Sequence, residues 1–151
     1  MKLILLVIGK TTDAHIQAII DDYASRLVHY VPFSLEVIPE LRNTKALSAE
    51  QQKAQEAELI KRQMQAGDYL ILLDEHGAER RSVDFAGWMQ KRMNSGARRL
   101  LFVVGGPYGF APSIHQLAKE EISLSQMTFS HQLIRALFVE QLYRSMTSLR
   151  G

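Results

Sequence analysis

Leu100-Leu101-Phe102-Val103-Val104-Gly105-Gly106-Pro107-Tyr108-Gly109 decides the fold. Its first five residues are all apolar, the pattern of a strand covered on both faces of a sheet. The strand runs straight into a glycine-rich turn, where the missing Cβ atoms let a ligand reach bare backbone. In parallel α/β sheets ligands settle at that end of the strands. A second segment, Leu124-Ser125-Gln126-Met127-Thr128-Phe129, is half apolar and is followed by Ser130-His131 and a long helical pattern. The two segments predict two walls of one ligand site.

Working outward, Leu3–Ile8 is another continuous apolar run, closed by Gly9, and Phe33–Ile38 lies between Pro32 and Pro39. Tyr69–Leu73 and Ile122–Leu124 complete a set of five strands, with Asp74-Glu75-His76-Gly77 expected to turn outward after the third. Between the strands the spacing is helical. Thr12 or Asp13 caps a helix with Ile16, Ile19, Ile20, Tyr23 and Leu27 on one face. Ser48 and Gln51 form a capping box for a helix to about Gln65, whose apolar stripe is only Ala57, Ile60 and Met64. The polar Glu40–Leu47 before it reads as a mobile loop. Ser82 caps a helix that stops at Gly96, and a short helix runs from about Pro112 to Lys119, with proline in its first turn. This alternation predicts an α/β fold with a mostly parallel sheet flanked by helices, in one domain over residues 1–151.

The final helix, about His131 to Leu149, carries Leu133, Ile134, Leu137, Phe138, Val139, Leu142, Tyr143 and Met146 around nearly its whole circumference. A helix apolar on most faces is buried on most faces, so a second copy of the chain is expected to cover what the sheet does not.

The chain has no cysteine, which excludes disulfides, thiolate metal sites and thiol catalysis. The apolar run at the N-terminus is too short for a signal peptide or a membrane span, so a cytoplasmic protein is expected. A formal net charge of +2 permits a nucleic-acid partner without arguing for one. Ile8-Gly9-Lys10-Thr11 resembles the end of a phosphate-binding loop, but Ile4 stands where its first glycine is required. Gly105-Gly106-x-x-Gly109 is likewise not the dinucleotide fingerprint. Among His15, His29, His76, His115 and His131 no pair has helical metal-ligand spacing and no carboxylate completes a set, so no metal is expected. His131 stands out at the start of the last helix, with Arg135 one turn further on the same face as an RNA-contact candidate. Glu140 and Arg144 are also four apart and read equally as an ion pair or a functional pair. Arg80-Arg81, Lys91-Arg92 and Arg98-Arg99 are basic doublets, open to solvation or to phosphate contact.

Taken together, Val7-Ile8-Gly9-Lys10, Leu72-Leu73-Asp74, Val104-Gly105-Gly106-Pro107-x-Gly109, Leu124-Ser125-x-Met127-Thr128-Phe129, His131-Gln132-x-x-Arg135 and Glu140-Gln141-x-Tyr143-Arg144 resemble the SPOUT superfamily of RNA methyltransferases, and within it the RlmH (YbeA-like) family. The match runs from Met1 to Arg150. It implies a homodimer with a C-terminal trefoil knot, which sequence reasoning does not propose because chains rarely thread. It also implies transfer of a methyl group from S-adenosylmethionine to ring nitrogen 3 of a pseudouridine in 23S ribosomal RNA. By the same resemblance Leu73, Gly105, Gly106 and Leu124 through Phe129 surround the cofactor, mostly through backbone groups. His131, Arg135 and Arg144 are the catalytic candidates, acting by alignment and charge stabilisation more than through a dedicated base. Members usually have proline where this chain has Ser130, which can cap the helix instead. They also continue past the terminal Arg-Gly with a short tail that helps form the substrate site, whereas this sequence stops at Gly151. The alternatives are a ribosome-binding factor that keeps the fold without turnover and a small-molecule α/β enzyme that uses a nucleotide.

Overall fold

The computed structural model describes residues 1–149, so Arg150, where the family match ends, and Gly151 lie outside the described residues. In chain order the elements are β1 (Lys2–Ile8), α1 (Ala14–Leu27), β2 (Phe33–Ile38), a 3-10 turn (Thr44–Ala46), α2 (Ala49–Gln63), β3 (Asp68–Glu79), α3 (Ser82–Met93), β4 (Arg99–Val104), α4 (Pro112–Leu117), β5 (Glu120–Ser123) and α5 (Leu133–Leu149). The five strands form one sheet in the order β2-β1-β4-β3-β5, with every pairing parallel. The continuous apolar runs occupy the centre, where helices cover both faces. Leu3, Leu5 and Val7 of β1 and Leu100, Phe102 and Val104 of β4 face α3 and α5. Ile4, Leu6, Leu101 and Val103 face α2 and α4 on the opposite side. The alternation puts successive residues of a strand into different cores, so neither face tolerates a polar residue.

The caps follow the sequence closely. Asp13 Oδ1 accepts from the backbone N–H groups of His15 (2.8 Å) and Ile16 (3.2 Å). The Ser48–Gln51 capping box is complete. Ser130 Oγ accepts from Leu133 N–H at 3.0 Å, so α5 begins at Leu133 rather than His131.

Two local expectations fail. Asp74–Gly77 does not turn outward, because β3 continues to Glu79. Pairing with β4 ends at Leu73, but β3 stays on β5 through a bulge that brings Ala78 opposite Ile122. Gly77 serves this close approach: a Cβ there would lie 2.6 Å from the backbone of Glu121 and Ile122. Ser82 does not cap α3 either. Arg81 holds the N-cap position, and Ser82 Oγ instead donates to Gln141 Oε1 of α5 at 2.8 Å.

From Ser123 at one edge of the sheet the chain returns across the C-terminal ends of the strands. It reaches β1, where Gln132 Nε2 donates to Lys10 O (3.1 Å) and Gln132 Oε1 accepts from Thr12 N–H (2.9 Å). This course is consistent with the C-terminal knot implied by the resemblance.

Candidate functional site

The returning segment and the turn after β4 enclose a cavity of about 650 Å³ at the C-terminal edge of the sheet. That is within the usual range for a pocket that takes a small molecule. Leu73, Val104 and Ile122 provide an apolar floor from the strand ends, and Gly105 through Gly109 form one wall. Leu124, Ser125, Met127, Thr128 and Phe129 form the facing wall. The second wall has no regular secondary structure and is held by side chains. Ser123 Oγ donates to Ser125 O at 2.8 Å, Ser125 Oγ accepts from Met127 N–H at 2.9 Å, and Thr128 Oγ1 donates to Glu75 Oε2 at 3.0 Å. The ends of three strands, each ordered by a buried core, therefore present exposed backbone to one space.

Of the cofactor residues read from the sequence, Leu73, Gly105, Gly106, Leu124, Ser125, Met127, Thr128 and Phe129 all line the cavity. Gln126 does not, since its amide points to Glu79 Oε2 at 3.4 Å. The lining also includes residues that the sequence reading did not assign to the cofactor, among them Lys53 of α2, Asp74, Tyr108 and His115. The sequence reading missed Glu56, a carboxylate buried behind the glycine wall. A Cβ on Gly106 would lie 2.6 Å from both Glu56 carboxylate oxygens, so residue 106 is glycine because α2 packs there. Burial pushes the Glu56 pKa above the ordinary carboxylate value, and a hydrogen bond from Gln52 Nε2 at 3.3 Å offsets this only in part.

The three catalytic candidates do not share one place. His131 is exposed and lines the cavity. Arg135 is fully buried, and its guanidinium faces β1 instead. Nη2 donates to Ile8 O (2.9 Å), Nη1 to Gly9 O (2.8 Å) and Thr11 Oγ1 (3.1 Å), and Nε to His131 O (2.9 Å). Burial lowers its pKa, although an arginine stays charged. Arg135 is thus a latch between α5 and the end of β1 and is not available to a substrate. Arg144 is ion-paired with Glu140, roughly 15–20 Å along α5 from His131 at about 1.5 Å per residue. It does not line the cavity of its own chain.

The basic doublets are mostly neutralised. Arg80 and Arg92 both lie 5.3 Å from the Trp88 ring and both pair with Glu120. Arg81 pairs with Asp84 at 2.9 Å and Arg99 with Asp68 at 2.7 Å. Burial raises the Asp68 pKa, but the hydrogen bonds from Arg99 and the Gln65 backbone bring it below the ordinary value. Arg80 and Arg92 brace the β5 edge of the sheet and Arg99 ties β4 to β3, whereas Arg81 stays exposed at the start of α3. Where sequence spacing offered no metal-ligand set, the fold gathers Asp74, His115 and Glu121 from three elements, with ligand atoms within 4.8 Å of one another. His115 Nδ1 already lies 2.9 Å from Glu121 Oε2. No helix among the described residues is long and apolar enough to cross a membrane.

A family model described as a predicted SPOUT methyltransferase matches residues 1–151. The chain is 57% identical over 151 residues to the ribosomal RNA large subunit methyltransferase H of Phocaeicola vulgatus, covering 100% of this chain and 96% of that protein. It is 54% identical to the protein of that name from Bacteroides fragilis and 52% identical to the one from Flavobacterium johnsoniae, with the same coverage of 100% and 96%. Among solved structures, the A. aeolicus TrmH/SpoU tRNA modifying enzyme overlaps 98% of this chain and 75% of its own at 13% identity and a TM-score of 0.47.

Proposed function

The chain belongs to the SPOUT methyltransferase family, and from that premise we propose that it transfers a methyl group from S-adenosylmethionine to ring nitrogen 3 of a pseudouridine in 23S ribosomal RNA. We take residues 1–151 as one domain, acting in the cytoplasm as a homodimer. The observation that carries the reading is the cavity: its glycine wall, serine-braced facing wall and apolar floor lie at the sheet edge where α/β folds bind ligands.

The residues present fit the cofactor. Gly105 and Gly106 leave backbone open on one side, Leu73, Val104 and Phe129 offer apolar surface to a flat ring, and the space is large enough for a nucleoside with a side chain. When bound, the cofactor supplies a methyl group already activated on a sulfonium. The protein must therefore align the acceptor nitrogen and help it lose a proton. His131, exposed at the cavity, is placed to orient the acceptor or take that proton. Arg135 acts indirectly, holding His131 through its backbone carbonyl. Arg144, outside the cavity of its own chain, would act only if the dimer brought it to the partner's cavity, where its charge would stabilise a deprotonated ring.

Two features support the dimer. Leu133 of α5 is 37% exposed and Ile19 of α1 is 43% exposed. Both border a second, more apolar cavity of about 350 Å³ that also includes Phe85 and Leu137. Apolar surface of this kind marks an interaction site.

The test has two steps. Calorimetry with S-adenosylmethionine should show saturable binding. Radiolabelled methyl transfer to ribosomes from a strain lacking the modification should then place one methyl group on 23S RNA. Absent cofactor binding would refute the reading, and binding without transfer would leave a ribosome-binding factor.

A further inference from the structure

Two exposed side chains at the cavity mouth, Tyr108 and the Met127 of the cofactor wall, extend the proposed function, on which the following rests. Tyr108 is 56% exposed and Met127 is 75% exposed, yet both line the cavity, one from each wall. Neither position is loose. Tyr108 sits in a turn closed by Gly109 N–H donating to Gly106 O at 3.1 Å, directly after Pro107. The Met127 backbone N–H is held by Ser125 Oγ at 2.9 Å. A flat aromatic ring entering the mouth would cover both. Tyrosine offers a stacking face that accepts any base, and methionine adapts to whatever lies against it.

The charges beside this mouth point to the same partner. Among the described residues Lys10, Arg42 and Lys45 belong to the exposed cations that make no ion pair, whereas Arg80, Arg81, Arg92, Arg99 and Arg144 all do. Lys10, Arg42 and Lys45 follow β1 or β2 at the C-terminal edge of the sheet, whereas the other unpaired cations, Lys2, Arg62, Lys91, Arg98 and Lys119, belong to other parts of the chain. Lys10 adjoins the mouth, since its carbonyl accepts from Gln132, the neighbour of the cavity-lining His131. The acids nearby are Asp13, which caps α1, Glu40, whose charge the buried Arg135 guanidinium feels, and Asp74 and Glu75 in the cavity lining. In the sheet order, β2 lies two strands from β4, about 10 Å at the usual strand spacing. That is about three nucleotides at 3.4 Å stacked spacing.

We infer that this half of the sheet edge is the RNA-docking surface: Tyr108 and Met127 clasp the acceptor base, while Lys10, Arg42 and Lys45 take the phosphates of the adjoining nucleotides. Base stacking selects an unpaired nucleotide, and the phosphate contacts set its register.

The experiment uses ribosomes lacking the methyl group, measuring their retention by the protein across a salt series alongside calorimetry with S-adenosylmethionine. Y108A should weaken ribosome binding about tenfold, with cofactor affinity within about twofold of the wild type, and Y108F should recover it because the ring does the stacking. The K10Q/R42Q/K45Q variant should flatten the log-affinity against log-salt slope by about 2, as expected for three lost phosphate contacts. Unchanged ribosome binding by Y108A, or an equal loss of cofactor affinity, overturns the inference; the latter would make Tyr108 a cover for the cofactor. An unchanged salt slope overturns the phosphate part. A wild-type protein that binds cofactor but not ribosomes would refute the RNA reading itself, and this inference with it.

Discussion

Gly106→Ala tests whether α2 shapes the cofactor wall. The backbone at Gly106 is not in the left-handed region, so alanine meets no conformational penalty there. The cost comes from contact alone: the new Cβ would lie 2.6 Å from both Glu56 oxygens and 2.9 Å from Cδ. The carboxylate is the free end of a side chain, but one that is only 4% exposed, so it must move within packed surroundings and give up its bond from Gln52. Overpacking of this kind costs about 1–3 kcal/mol. Urea unfolding followed through Trp88, the chain's single tryptophan, would report it. If the wall moves rather than Glu56, the same strain appears in calorimetry as a loss of cofactor affinity of about tenfold for each 1.4 kcal/mol. Glu56→Ala removes the obstacle, so G106A should be nearly free of cost in that background, a coupling of about 1–2 kcal/mol between neighbours. Gly106→Val adds two further methyl groups and should abolish cofactor binding while the oligomeric state persists. A G106A cost that is the same with and without Glu56 would refute the reasoning.

Arg135→Met should destabilise the fold by about 3 kcal/mol or more in urea unfolding, because the carbonyls of Ile8 and Gly9 lose their buried donor; wild-type stability with lost methyl transfer would return Arg135 to the chemistry. Glu56→Gln should raise the Tm at pH 8, with the gain closing toward pH 4. Burial raises the Glu56 pKa from 4.5, so its ionised form is disfavoured in the folded state and stability falls as pH rises through the folded value; a pH-independent difference would contradict this. Leu137→Asp should shift the protein toward the monomer in light scattering, since Leu137 borders the apolar cavity between α1 and α5; an unchanged mass would place the dimer contact elsewhere.

The parts legible in the sequence were those where one local pattern implies one environment. Leu100–Val104 read to within a residue because continuous apolarity requires cover on both faces, and Phe33–Ile38, an edge strand that carries Ser34 and Glu36, was legible from Pro32 and Pro39 at its ends. The polar half of β3 was not legible, because residues beyond Leu73 pair with β5 alone and need no apolar side chains. Gly77 looked like punctuation, but it is there for a backbone contact with residues more than forty positions later. Arg135 shows the same limit at the site. Helical spacing places it one turn from His131, but spacing says nothing of what lies opposite, and its acceptors stand 126 and 127 residues away in sequence. Glu56 differs, because its signal was present. It precedes Ile60 by four residues, which puts a carboxylate on the stripe that Ile60 and Ala57 bury. A charged residue on the buried stripe of a helix is costly. Here the cost coincides with the wall of the cavity, where the nearest residue must be glycine.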